Sequence, residues 1–327
     1  MASILDAAVL VGRETTYGTP ATLARAYEAH ADTMKRKQEF MQSVGMRGGQ
    51  QTDRSDRRTA VNMGGEGTVE VDFLTVGMGQ LLQACFGTTG EAVEASTAYK
   101  QTHATATAEP GDSYTVQVQR PDVGGTVRSF TYHGCVVTGW SFKQALNDHL
   151  KLEWQFDAED VDTSTGAGTP SYPVGSPMHW VQCGVSWGGS AIHVDEFNLS
   201  GSLGLKTDRH FLRQSALKKQ PLRASTPTFD GSMKGEFEDL DVYADFVAGT
   251  ERELVATWVG DEIASTGEYY TLTLTMPAVQ LSGDTPTVNL SNTPEQSMPF
   301  KVLHDPSAGA AITCEYITTQ DTLLVGV

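Results

Sequence analysis

One relationship inside the chain constrains its fold more than any other feature: a stretch of the first half returns, degraded, in the second. EGTVEVDFLTVGMGQLLQACFG at residues 66–87 reads as a short alternating strand that runs into a helix closed by glycine, and DGSMKGEFEDLDVYADFVAG at 230–249 has the same reading. Three more pairs keep the same order: EF at 39 and 196, TDR at 52 and 207, and YTVQVQRP at 114 against YTLTLTMP at 270. In chain order the four offsets are 157, 155, 164 and 156 residues, and collinear pairs at near-constant spacing are the mark of a tandem duplication. A chain of 327 residues has room for about two domains. The spacing predicts an N-terminal arm over 1–30, a first unit over 31–160, a linker over 161–178, a second unit over 179–306 and a C-terminal extension over 307–327. The linker contains TSTGAGTPSYPVGSP, whose glycine, proline and hydroxyl content breaks regular structure.

Within each unit the dominant period is two. Leu150, Leu152, Trp154 and Phe156 alternate with polar residues, as Leu272, Leu274 and Met276 alternate with threonines, which predicts half-buried antiparallel strands. The exception is a helical stripe of Met78, Leu81, Leu82 and Cys85 stopped by Gly87, echoed by Leu240, Tyr243 and Val247 before Gly249. Each unit therefore reads as a mainly β sandwich with one short helix available to cover an open face.

Charge is unevenly placed. The chain carries a formal net charge of -17, against which residues 47–58 sum to +2 and residues 206–223 to +5, leaving -24 on the remainder. The cations are Arg47, Arg54, Arg57 and Arg58 in the first segment, and Lys206, Arg209, Arg213, Lys218, Lys219 and Arg223 in the second. Each segment reads as a long loop between neighbouring strands, and such loops in compact domains are usually functional. An acidic body does not suit a nucleic-acid-binding surface, and the aromatic interleaving of a single-strand binder is missing from both loops. Docking of the basic loops onto acidic surfaces of other copies fits the charge pattern better, and these ten cations are the expected contact residues.

The residues offer no enzymatic constellation. The histidines are dispersed without HExxH or HxH spacing, so no metal and no cofactor is expected. GMG at 77–79 and GSLG at 201–204 lack the strand, glycine pattern and βαβ context of a nucleotide loop. DAEDVD at 157–162 lacks the donor spacing of a calcium loop and reads as a solvated strand end. Cys85, Cys135, Cys183 and Cys314 show no CxxC pairing and read as free thiols. No apolar run approaches the roughly 18 residues of a membrane span, and the opening MASILDAAVLVGRETTYG has no secretory pattern.

Taken in order, GRETTYGTPATLARAYE at 12–28, RGGQQTDRSDRR at 47–58, VQRPDVGGTVRSFTYHGCVVTGWSF at 118–142, GLKTDRHFL at 204–212 and FVAGTERELVATWVG at 246–260 resemble the major tail tube proteins of long, flexible-tailed bacteriophages. The resemblance covers nearly the whole chain to about residue 303 and leaves 307–327 outside. It implies a non-enzymatic virion protein assembled in host cytoplasm. Its fold would be a β-sandwich flanked by a helix, with a long inter-strand loop reaching the next ring, and strands of all subunits lining an inner barrel. Rings of such units stack into a hollow tube around a tape measure protein, between tail tip and tail terminator proteins, and DNA passes through the lumen without specific binding. Where simple members put six units in a ring, two units per chain imply three chains per ring, with six chains as the alternative. Two other readings stay open on the residues: a carbohydrate-binding or hydrolytic β-sandwich protein of the tail, and the tube of a contractile or secretion system.

Overall fold

A computed structural model describes residues 6–23, 25–49, 51–105, 112–238, 240–283, 285 and 293–320. A first run of elements opens with β1 (Ala8–Arg13), β2 (Arg25–Tyr27), β3 (Ala29–Asp32) and β4 (Lys35–Gln42), and continues through the long β5 (Arg58–Asp72) into helix α1 (Gly79–Phe86). A hairpin of β6 (Gly87–Ala95) and β7 (Ala98–Thr105) leads to β8 (Tyr114–Pro121), β9 (Val127–Ala145), β10 (Lys151–Ala158) and β11 (Asp160–Asp162). The second run holds β12 (Cys183–Trp187), β13 (Ser190–Ile192), β14 (Glu196–Ser202), β15 (Leu205–Lys206), β16 (Leu222–Arg223), β17 (Thr228–Glu236) and helix α2 (Asp241–Ala248). It closes with β18 (Arg252–Glu262), β19 (Tyr269–Leu281), β20 (Glu295–Leu303) and β21 (Thr313–Thr318). Among the described residues no helix is long and apolar enough to cross a membrane.

The period-two segments form strands as their pattern predicts. In β10, Leu152, Trp154 and Phe156 are buried while Glu153 turns outward to Lys143 at 3.3 Å. Leu272, Leu274 and Met276 of β19 are wholly buried, each such side chain stabilising the fold by about 1.5–3 kcal/mol relative to exposure. Among the described residues, nineteen strands hydrogen bond into one antiparallel sheet, with β15 and β16 as a separate ladder. Successive neighbours across it run β4, β5, β10, β9, β14, β17, β20, β19, β18, β12. The seam is the pairing of β9 with β14, where Phe142 faces Leu199 and Trp140 faces Gly201.

Pairings on either side of that seam correspond. β5 pairs β10 with Gly67 opposite Phe156, and β17 pairs β20 with Gly231 opposite Phe300. β1 lies on β8 as β12 lies on β18, and β11 lies on the first half of β9 as β21 lies on the first half of β19. Segments read as a terminal arm and a terminal extension thus contribute strands to the sheet, while residues 1–5 and 321–327 lie outside those described. One anchor pair falls on strands of different position. YTVQVQRP forms β8, separated from β5 by β9 and β10, whereas YTLTLTMP forms β19, separated from β17 by β20 alone. Alternation every second residue recurs in any half-buried strand, so it does not say which strand is which.

The two helices differ in depth. All eight residues of α1 are buried, with Phe86 5.0 Å from the Trp140 ring, and Gly87 ends the helix at φ 92°. Gly249 ends α2 in the left-handed conformation, but no residue of α2 is fully buried. Of the stripe read through Leu240, Tyr243 and Val247, Leu240 and Val247 are exposed and Tyr243 is half-buried against the Phe246 ring, while Val242 and Phe246 pack on the core. Trp187 and Arg252 fix this orientation by donating to Asp245, at 2.9 and 3.1 Å.

The predicted linker is tied down. Gln119 Nε2 donates to the Gly168 carbonyl at 2.6 Å and Gln117 Oε1 accepts from the Gly168 amide at 2.7 Å, while Ser171 and Ser176 bond the backbone of Ala26 and Thr75. All four cysteines are free, and only Cys183 is not fully buried.

Candidate assembly surfaces

β4 is an unusual strand: apart from half-buried Gln42, every residue is exposed, and among the described residues it pairs β5 alone. With the first part of β5 it makes a two-stranded ribbon. A lone ribbon is marginal in water, and its bare edge is a template for another strand. Lys35, Arg36 and Lys37 put charge along that edge, two of them held by Glu66 at 3.3 Å. The ribbon ends in residues 43–57. Its return is fixed by Ser43 N–H to the Arg57 carbonyl at 3.0 Å and by Gln42 Nε2 to the Arg54 carbonyl at 3.2 Å. Phe40, Met41, Val44 and Met46 are all exposed there, an apolar surface on which Arg58 covers Phe40.

The second basic segment behaves differently. β15 and β16 pair at its base, and residues 207–221 leave as a strap that lies back on the first half of the molecule. Met63 N–H donates to the Ala216 carbonyl at 3.0 Å, and Leu217 bridges Met63. Lys218 is buried and its ammonium pairs with Asp157. Burial raises the Asp157 pKa, and Lys218 opposes that rise by favouring the carboxylate. The solvated strand end expected at 157–162 is therefore corrected at Asp157, whose cation comes from 61 residues away in sequence.

The ten cations expected at contacts divide by environment. Arg47, Arg57 and Arg58 are exposed on the ribbon, Arg58 lying 4.8 Å over the Phe40 ring. Arg54 is half-buried and donates to Asp56 at 2.8 Å, a hydrogen bond that holds the Asp56 carboxyl below its usual range. Lys206 is 3.9 Å from Asp208. Arg213 donates to the Leu217 and Lys218 carbonyls at 2.7 and 3.1 Å, and Arg209 to the Gln220 carbonyl, so both stiffen the strap. Arg209 and Lys219 sit 5.7 and 5.6 Å over exposed Phe211, giving the strap one cation-flanked aromatic that the sequence reading had passed over. Arg223 is half-buried at the base. Lys218, facing inward, is the one cation of the ten withdrawn from the surface.

A family model described as phage tail tube protein matches residues 5–302. No curated protein matches the chain.

Proposed function

The chain belongs to the phage tail tube protein family, as a structural component of the virion's tail tube that assembles with itself, and from that premise we infer that it forms rings of three chains, each chain supplying two units. One observation carries the ring reading: the corresponding strand sets meet edge to edge at β9 and β14. Repeating the same junction between chains would pair the bare edge of β4 with the second set of the next copy. A head-to-tail contact whose rotation closes makes a ring, and closure removes unpaired edges. Three chains give six units, which restores the number that simple members use.

Stacking then needs a second contact. Arg47, Arg57, Arg58, Arg209 and Lys219, exposed or half-exposed on ribbon and strap, face acidic groups of an adjacent ring in this reading. Of the remaining candidates, Arg54, Lys206 and Arg213 bond within their own loops and Arg223 is half-buried at the base of the strap. A tape measure protein and then DNA occupy the lumen, whose acidic lining disfavours adhesion of the phosphate backbone. Tail tip and terminator proteins cap the stack.

Electron cryo-microscopy of assembled tubes tests the ring: threefold symmetry with two similar densities per chain is expected, and six chains per ring would reject it. Neutralising the five surface cations together should block polymerisation while leaving a folded monomer. Tubes of ordinary length from that variant would remove the charge-docking role.

A further inference from the structure

Corresponding pairings locate a second groove. Counting from Gly67 opposite Phe156 and Gly231 opposite Phe300, Met63 corresponds to Pro227, Gly64 to Thr228, Asp157 to Lys301 and Ala158 to Val302. In the first half this place is filled by the strap: a Cβ on Gly64 would lie 3.1 Å from the Lys218 Cε and 3.1 Å from the Ala158 carbonyl oxygen. In the second half the same place is an open groove of about 480 Å³ between Pro227–Phe229 and Lys301–His304, floored by Phe86 and Leu203. It is mostly apolar inside, with Lys301 and Arg223 at its rim.

We propose that this groove receives residues 43–57 of a neighbouring copy, the loop at the tip of the β4–β5 ribbon. The proposal rests on the two-unit reading above. Two facts choose the occupant. The loop and the groove are complementary apolar surfaces, since Val44 and Met46 are exposed and Phe229, Val302 and Leu303 line the cavity. The occupant that fills the first-half groove is excluded from the second by charge. Lys218 meets Asp157 in the one and would meet Lys301 in the other, where like charges repel. Asp53, which has no ion-pair partner among the described residues, supplies the loop with a counter-charge for Lys301. The strap is thus the within-chain form of a contact whose between-chain form uses the ribbon loop, and the reversed charge at 157 and 301 keeps the two from exchanging.

Mixed disulfide trapping tests this. Chains carrying Met46→Cys are mixed with chains carrying Leu303→Cys, assembled and oxidised, with each variant alone as control. A cross-linked dimer band confined to the mixture and to the assembled state is expected, together with loss of assembly for Lys301→Asp at unchanged monomer melting temperature and its recovery in Asp53→Lys/Lys301→Asp. Threefold tubes that form without the cross-link, or that form normally from Lys301→Asp, overturn the groove assignment alone. Sixfold tubes overturn the ring reading, and the cross-link then still reports on the groove. If the wild-type chain makes neither rings nor tubes, both readings fall.

Discussion

Lys218 reaches across from the second half of the chain to pair with Asp157 at the end of β10, in a setting where both side chains are almost fully withdrawn from water. Removing one partner of a buried pair leaves the other charged and unpaired, which costs about 3–5 kcal/mol, whereas replacing both is often neutral. Lys218→Met should destabilise by that amount near pH 7, and Asp157→Asn/Lys218→Met by much less. The sign with pH follows from burial, which already raises the Asp157 pKa. Without its cation the carboxyl is driven further toward the neutral acid, so the penalty of Lys218→Met shrinks as pH falls. Chemical denaturation of the three proteins at pH 7 and pH 5 measures this, and a pH-independent penalty would contradict it.

The segment at 163–177 has a linker's composition and a docked segment's hydrogen bonds. Gln117 and Gln119 hold the Gly166 and Gly168 backbone from β8 at 2.6–3.1 Å. Replacing both glutamines by leucine orphans these groups, at about 1–3 kcal/mol for each that stays buried. Since local opening governs cleavage, limited proteolysis between Thr163 and Pro177 should become at least tenfold faster in the double variant. Equal cleavage rates would mean that the segment is held elsewhere.

What sequence made legible was local. Alternation in Leu152, Trp154 and Phe156, and the glycine stop at Gly87, depend on neighbours a few residues away, and strand and helix formed there. What it concealed was pairing at long range. Nothing near Asp157 announces Lys218, and nothing in the stripe of α2 reveals that Asp245 is fixed by Trp187 from 58 residues away. The basic loops stood out by charge, but charge alone does not separate a strap folded onto its own chain from a ribbon left projecting. That distinction depends on whether a groove of matching shape lies within reach.

His103 on β7 is wholly buried, with Nδ1 3.0 Å from the Thr89 hydroxyl, and burial moves its pKa from 6.5 to about 3. The unfolded chain takes up a proton below pH 6.5 that the folded chain refuses until about pH 3. The stability contributed by keeping this ring neutral is therefore complete above pH 6.5 and is lost through that window at about 1.4 kcal/mol per pH unit. Between pH 7 and pH 5, His103→Gln should lose about 2 kcal/mol less than wild type. Urea unfolding at the two pH values decides it, and parallel losses would show that His103 is not the sensor.

Gly201 lies opposite Trp140 across the seam of β9 and β14, and a Cβ there would sit 2.5 Å from the indole Cε2. The ring has nowhere to go. Its Nε1 donates to the Cys85 carbonyl at 3.1 Å, and Phe86 and Phe142 hold its faces with centroids at 5.0 and 5.6 Å. Overpacking of a fixed core side chain costs about 1–3 kcal/mol, so Gly201→Val should fall in that range. Gly184→Ala on β12 is the control, because a Cβ there meets nothing within 4 Å. The effect should also be placed. Hydrogen exchange should quicken at β9 and β14 while β1 against β8 keeps its protection, since that ladder joins β9 only as far as Cys135, short of Trp140. If the two halves were instead one indivisible cooperative unit, protection would fall in both places together.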